Sequence, residues 1–165
     1  MGKSMITTEF LRRLPYFTKI PDEGLKSLAL IGEVQTFKAG ERIFEESGEL
    51  IGDIPLDNKG DGATDLMILV QGQVDITVSI ASREDIVVDT CVPGDLMAIS
   101  ALISPYHLTA SGIARDDGKL VQLKAHPLRQ LCEDVPELGY SLMLQVAKTA
   151  TNRLYHTRLK LGAQS

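Results

Sequence analysis

The chain has 165 residues, the size of one domain, and roughly 70% of the surface of an unfolded chain this long can be buried on folding. Hydrophobic residues make up 44% and charged residues 24% of the sequence, as in ordinary globular proteins. The net charge of −5 excludes the overall basic surface typical of nucleic-acid-binding proteins. No apolar run approaches the ~20 residues of a transmembrane helix, and the start MGKSMITTEFLRR lacks the apolar core of a secretory signal. The two cysteines form neither a disulfide framework nor a metal motif, so a cytoplasmic location is predicted.

Short helices are the first elements predicted along the chain, over residues 8–31, after a disordered leader over residues 1–7. Apolar residues from Phe10 to Phe17 recur at three- and four-residue spacing, which favours a helix. Pro21 begins a further helix, because proline is well tolerated at a helix start.

Residues 34–125 follow a different pattern, in which short β-rich runs alternate with turns. The sequence predicts a turn at residues 39–40 and hairpins at residues 71–72 and 116–118, each with a glycine. A further strand, EDIVVDTCV, ends at residues 93–94, which are Pro-Gly. Short strands at even spacing with glycine-rich turns favour a jelly roll or barrel over an α/β sheet.

Helices return over residues 126–161. A short helix ends near Asp134, and Pro136 starts a long helix that continues to about Leu161. The predicted fold class is therefore α+β, mainly β. It is a double-stranded β-helix, or jelly roll, with N-terminal helices and a long C-terminal dimerisation helix, in a single domain over residues 8–165.

An aspartate-rich segment interrupts the β-rich region over residues 47–65. Its four aspartates are Asp53, Asp57, Asp61 and Asp65. An EF-hand calcium loop needs Asp or Asn at its third position and Glu at its twelfth. Counted from Asp57, those positions hold Lys59 and Ile68. The match fails, so the sequence predicts a solvated loop and no metal site.

Five stretches occur in an order that identifies a family. They are FLRRLPYFTKIPDEGLKSLA, FKAGERIFEESGE, LMILVQGQVDI, VPGDLMAISALISPYHLTAS and HPLRQLCEDVPEL. Together, over about residues 10–161, they resemble the cyclic-nucleotide-binding domain of the catabolite-activator and fumarate–nitrate-regulator superfamily. In that family they correspond to the helical lead-in, the first β-turn, a hairpin around a glycine, the phosphate-binding cassette and the short helix before the long one.

The resemblance places the phosphate-binding cassette at residues 94–111. In the family, an arginine just before a Ser/Thr-Ala pair binds the cyclic phosphate, and a glutamate after a Gly-Asp pair accepts a hydrogen bond from the ribose. Here those positions hold Leu108 and Ile99, and the glycine before the glutamate is Ala98. The ligand-binding residues that the resemblance implies are Gly94, Asp95, Ala98, Ile99, Ser100, Ala101, His107, Leu108, Thr109 and Ala110.

Losing one partner of a buried charged contact costs ~2–5 kcal/mol, so cyclic AMP and cyclic GMP are predicted to bind weakly or to be replaced by another ligand. His107 lies one position before the arginine position, which in a strand sends it to the opposite face. The hydroxyls of Ser100, Thr109 and Ser111 supply no charge. Three interpretations stay open: a more apolar small ligand, a ligand-independent dimerisation or protein-interaction module, and cyclic-nucleotide binding retained through backbone donors.

The long last helix carries a regular seam. Its residues are Met143, Ala147, Ala150, Leu154, Thr157 and Leu161, at alternating spacings of four and three. Such a seam predicts a homodimer, and the alternative is a helix that packs only on its own β-roll. Four residues follow Leu161, too few for a recognition helix, so no direct nucleic-acid binding is expected; no membrane partner is expected either.

No catalytic constellation is visible in the sequence. His107, His126 and His156 show no metal-binding spacing, and no strand carries the His-x-His pattern of the cupins, the enzyme alternative on a jelly roll. The prediction is a non-enzymatic, cytoplasmic regulatory domain of signal transduction. It has no certain cofactor, and its candidate ligands are a cyclic nucleotide or another small molecule. A protein partner is a further candidate.

Overall fold

The structure is a computed structural model, and it describes residues 3–47, 50–51, 54–55 and 63–164. The N-terminal elements are strand β1 (Lys3–Met5), helix α1 (Thr8–Arg12), a 3-10 helix (Pro15–Phe17) and helix α2 (Asp22–Leu30). The next strands are β2 (Gly32–Phe37), β3 (Arg42–Phe44), β4 (Leu50–Ile51), β5 (Ile54–Pro55), β6 (Asp65–Gln71), β7 (Val74–Ile80) and β8 (Arg83–Cys91). The remaining elements are β9 (Leu96–Met97), a second 3-10 helix (Ile99–Leu102), β10 (Ser111–Ala114), β11 (Gly118–Lys124), α3 (Ala125–Asp134) and α4 (Pro136–Gln164).

Two antiparallel sheets form the β-roll. The five-stranded sheet has the order β1-β2-β11-β6-β9, and the four-stranded sheet has the order β3-β10-β7-β8. Strands β4 and β5 pair with each other. The predicted mixed, mainly β, jelly-roll fold is confirmed.

Four short turns among the described residues, called corners below, carry the chain from one sheet to the other. Gly40, Gly72 and Gly94 occupy three of them with φ values of 86°, 92° and 97°, which residues with a Cβ rarely adopt. The fourth corner lies at residues 116–118, between β10 and β11.

The hairpins predicted at residues 71–72 and 116–118 are wrong. Strand β6 belongs to the five-stranded sheet and β7 to the four-stranded sheet, and β10 and β11 are divided in the same way. The two strands on either side of each turn therefore belong to different sheets and pair with other strands. This arrangement lets each strand bury one face in the space between the two sheets. Two turn carboxylates hold the corners together: Asp116 Oδ1 accepts from the Gln73 N–H at 2.6 Å, and Asp117 Oδ1 accepts from the Ala39 N–H at 2.8 Å. Strands β7 and β8 do form a hairpin.

The disordered leader predicted over residues 1–7 is wrong for its described part. Lys3 to Met5 form β1, which pairs antiparallel with β2. Ile6 is buried at 5% exposure, and the Thr7 hydroxyl accepts from the Phe10 N–H at 3.1 Å as the N-cap of α1. The buried Ile6 side chain and the Thr7 helix cap order this segment. Its sequence has no longer periodic pattern from which this order could be predicted.

Two apolar cores lie on opposite faces of the five-stranded sheet, because side chains alternate along its strands. The helix-side core packs α1, α2, α3 and α4 against residues such as Leu66, Ile68 and Leu123. The roll core fills the space between the sheets and includes Leu69 and Ile76.

Helix α4 packs its first half on the helix-side core, and its second half contacts β8, where His156 Nδ1 lies 2.8 Å from Asp89 Oδ1. Leu138, Leu142 and Val146 are buried at 0%, 0% and 2% exposure, at the four-residue spacing of one helix face. Within the described residues, no helix combines the length and apolarity that crossing a bilayer requires.

Candidate functional site

The cassette, residues 94–111, begins at a sheet corner and ends at β10. After β9, Ala98 adopts a left-handed conformation (φ 56°, ψ 43°) and precedes the 3-10 helix Ile99–Leu102. This is the position at which the resemblance predicts the family's glycine. An alanine in this conformation costs about 1–2 kcal/mol, which the packing of the buried Ala98 must offset.

Gly94 and Asp95 stabilise the corner that opens the cassette. The Gly94 N–H donates to Leu69 O at 2.7 Å, and the Leu69 N–H donates to Asp95 O at 3.0 Å. The Asp95 carboxylate accepts from the Val92 N–H at 2.9 Å. Burial raises the pKa of Asp95 above its ordinary value. Both residues therefore hold the turn, and neither lines the cavity described below.

The apolar cassette residues divide between the two cores. Ile99 and Ala101 are buried in the helix-side core, whereas Ala98 and Ala110 are buried in the roll core. Leu108 is half-buried and packs against both cores. Ile99, at the predicted glutamate position, thus lies on the helix side of the sheet. Leu108, at the predicted arginine position, contacts both cores.

The polar cassette residues do not converge on one point. Ser100 is half-buried and Thr109 is exposed. The buried Ser111 hydroxyl accepts from the Glu46 N–H at 2.8 Å. His107 is half-buried, and its Nδ1 atom is buried without a hydrogen-bond partner among the described residues. The predicted set of ten residues therefore remains a prediction, with two of its members, Ala98 and Leu108, on the cavity wall.

A cavity of about 290 Å³, called the roll cavity below, opens beside the cassette. Its apolar wall is formed by Ile43, Phe44, Ala63, Met67, Ala98 and Leu108. Its polar wall includes Thr64, Gln122 and the carboxylates of Glu45 and Asp65, and the Thr64 hydroxyl donates to Asp65 Oδ2 at 2.9 Å. In the described part of the chain, no lysine, arginine or histidine lines this cavity.

Comparison with known proteins places the chain in a family. The cyclic nucleotide-binding domain profile matches residues 55–135. A solved structure from Geobacter metallireducens GS-15, assigned as a cyclic nucleotide-binding protein, is 34% identical, with a TM-score of 0.73 over 91% of this chain and 99% of that chain. The chain belongs to the cyclic nucleotide-binding domain family.

More distant structures share the fold of this domain. A cyclic nucleotide-binding domain from Methylobacillus flagellatus KT is 14% identical, with a TM-score of 0.75 over 99% of this chain and 89% of that chain. The catabolite activator protein of Thermus thermophilus is 19% identical, with a TM-score of 0.63 over 91% of this chain and 62% of that chain. The predicted resemblance to the catabolite-activator superfamily is confirmed at the level of fold. No curated protein matches the chain.

One cation of the domain does contact the cassette, and sequence reasoning missed it. Arg129, on α3, donates from Nη1 to Ala101 O at 2.6 Å, and its guanidinium lies 3.9 Å from the centroid of the Tyr106 ring. The contact joins residues 28 positions apart, so no local pattern indicates it. Arg129 therefore fixes the cassette from outside the roll cavity.

We expect Arg129→Ala to loosen the cassette, because it removes a charge-assisted hydrogen bond and a cation–π contact together worth about 2–4 kcal/mol. Amide hydrogen exchange over residues 99–106 should accelerate more than exchange in β6 and β11. Arg13→Ala is the matched control, because Arg13 is exposed at the end of α1. Equal exchange in the two variants would contradict this role for Arg129.

The two cysteines are not activated thiols, and the described residues contain no metal-binding cluster. Burial raises the pKa of Cys91 to about 12 and that of Cys132 to about 11, so both stay protonated at neutral pH and are poor nucleophiles. No cluster of metal-ligating side chains occurs among the described residues. Asp53, Asp57 and Asp61, weighed above as a calcium loop, lie outside them.

The predicted seam of α4 faces away from the roll. Met143, Leu154 and Leu161 are 44%, 52% and 65% exposed, and Ala147 and Ala150 are also exposed. Thr157 is the exception: it is half-buried, and its hydroxyl donates to Arg153 O at 2.7 Å. Leucine and methionine side chains left open in one stripe form a surface that a second molecule can cover.

Proposed function

We propose that this domain is a non-enzymatic, cytoplasmic regulatory module that senses a small, mainly apolar ligand in its roll cavity. The ligand takes the place that a cyclic nucleotide has in the family. The domain acts as a homodimer through the seam of α4.

The lining of the roll cavity is the observation that supports this ligand class. A cyclic nucleotide brings a negative phosphate, and this wall offers it two carboxylates, Glu45 and Asp65, with no described cation. Desolvating an unpaired charge is costly, so an uncharged or cationic ligand is favoured. About 290 Å³ lies at the lower end of the range of ligand pockets, which favours a small molecule.

Contacts between the cassette and the helices couple ligand binding in the roll cavity to the position of α4. Leu108 and Ala98 line the cavity, and Arg129 ties the same cassette to α3. The Tyr16 hydroxyl donates to Gly94 O at 2.8 Å, and Tyr16 O accepts from the Ser141 hydroxyl of α4. A ligand that prefers one cassette position would therefore shift the equilibrium position of α4.

A thermal-shift and calorimetry screen of the purified domain tests the proposal. The panel holds cyclic AMP, cyclic GMP and sets of small uncharged, cationic and anionic apolar compounds. A ligand at 100 times its Kd adds ~2.7 kcal/mol, which raises the melting temperature by roughly 5–10 °C for a chain of this size. We expect such a shift with an uncharged or cationic compound and none with the cyclic nucleotides.

Leu108→Trp locates the binding site, because a larger side chain at the cavity wall fills the cavity. It should abolish the shift, whereas Leu30→Trp, on the 80% exposed Leu30 of α2, should leave the shift unchanged. A shift with cyclic AMP would overturn the proposal and favour binding through backbone donors. No shift with any compound would favour the ligand-independent dimerisation module, which the burial of Met97, Ala98 and Ala110 in the roll core also supports.

A further inference from the structure

A second and larger cavity, about 700 Å³, lies between the first 3-10 helix and the first half of α4. We call it the helix groove. Its wall is mainly apolar and includes Tyr16, Ile20, Pro136, Tyr140 and Leu144. Its volume is within the range of pockets that hold small organic ligands. The helix groove shares no lining residue with the roll cavity.

The charged residues of the helix groove give it a net positive rim. Lys19 and Lys148 line it, and both are exposed. Neither forms an ion pair with a described residue. Glu137 is the acidic residue among the described lining residues. Two exposed ammonium groups beside an apolar wall complement a ligand with an apolar body and one negative group.

Most of the α4 residues that line the helix groove lie on a different face of the helix from the seam. Ser141, Leu144 and Lys148 follow one another at spacings of three and four, which places them along one stripe of the helix. At 100° per residue, this stripe is centred about 120° around the helix from Met143, Ala147 and Leu154. Tyr140 of the groove lies seven residues before Ala147, beside the seam. A dimer formed through the seam would therefore border the groove at Tyr140 and leave the stripe of Ser141, Leu144 and Lys148 on another face.

We propose that the helix groove is a second binding site, specific for a small amphipathic organic anion such as a medium-chain carboxylate. The apolar body lies against Tyr16, Ile20 and Leu144, and the anionic group lies toward Lys19 and Lys148.

Tyr16 connects this site to the cassette. Tyr16 lines the groove, and its hydroxyl donates to Gly94 O at 2.8 Å, at the corner that opens the cassette. Burial raises the pKa of the Tyr16 phenol well above its ordinary value, so the hydroxyl remains a donor at all physiological pH values. An anion in the groove thus contacts the residue that links α4 to the cassette corner.

Calorimetric titration of the full chain with octanoate, kept below its micelle-forming concentration, tests the site. Octanol, which has the same chain length and no charge, is the matched ligand. We expect octanoate to bind more tightly than octanol. Lys148→Glu should weaken octanoate binding roughly tenfold, and Leu144→Asp, at a side chain that is 44% exposed, should remove it without unfolding the protein.

Lys26→Glu is the control variant, because Lys26 is exposed on α2 and changes the net charge by the same amount outside the groove. It should leave octanoate affinity within about twofold. The proposal is overturned by an absence of octanoate binding, by equal binding of octanol, or by equal effects of Lys148→Glu and Lys26→Glu. Loss of binding in Leu108→Trp alone would place octanoate in the roll cavity and would also overturn it.

Discussion

Replacing Gly118 with alanine is expected to destabilise the fold by about 3 kcal/mol or more. A Cβ atom at this position would lie 2.0 Å from Gln71 O and 2.6 Å from Cζ of Phe37. The first neighbour is backbone in a paired strand, since Lys119 pairs with Gln71 and Gly118 with Phe37. Neither strand can retreat without breaking the sheet where the corners meet.

Chemical denaturation of Gly118→Ala, followed by far-ultraviolet circular dichroism, measures this effect. Gly40→Ala is the matched control, because Gly40 has φ of +86° and no atom within 4 Å of its added Cβ. Gly40→Ala tests the effect of the positive φ without steric crowding, and it should lower the free energy of unfolding by about 1 kcal/mol. Equal unfolding free energies for the two variants would show that close approach at Gly118 does not matter.

Introducing a charge into the seam of α4 is expected to weaken the proposed dimer strongly. In the proposed dimer, Leu154→Glu places a carboxylate without a partner at the helix–helix contact. An unpaired buried charge costs about 3–5 kcal/mol, so the dimer dissociation constant should rise by at least about a hundredfold. Sedimentation equilibrium over a concentration series would measure it.

Asn152→Glu is the control for the seam, because Asn152 is exposed on the same helix and lies outside the seam. It adds the same charge and should leave the dimer intact. A Leu154→Glu protein that remains dimeric, or a wild-type protein that is monomeric at high micromolar concentration, would contradict the seam as the interface. The side chain at position 154 is 52% exposed in the isolated chain, so the variant should still fold.

Local sequence patterns predicted the elements better than the way they pair. Three- and four-residue periodicity indicated the helices, and short β-rich runs indicated the strands, because these patterns report which side of one element is buried. The glycines at positions 40 and 72 marked changes of direction. Whether a turn joins partners or changes sheets depends on the packing of two layers, which a glycine does not encode. The predicted hairpin at residues 71–72 failed for this reason.

In the candidate site, too, the sequence indicated the residues but not their contacts. The resemblance predicts that Leu108 and Ile99 occupy the positions of the family's charged side chains, and this assignment stays a prediction. The sequence did not reveal that Ile99 packs on the helix side of the sheet. The contacts of Arg129 with the cassette and of Tyr16 with Gly94 span 28 and 78 positions. Such contacts arise only once the strands are assembled.

Strand β1 has a practical consequence for how the domain is produced. It is the outermost strand of the five-stranded sheet and has three residues, whereas its neighbour β2 has six. Very short edge strands offer few free backbone groups for association with another sheet. Shortening the chain to begin at Thr8 would make β2 the edge and expose a longer row of unpaired N–H and C=O groups. Such a protein should aggregate more readily and yield less soluble material than the chain that keeps its first residues.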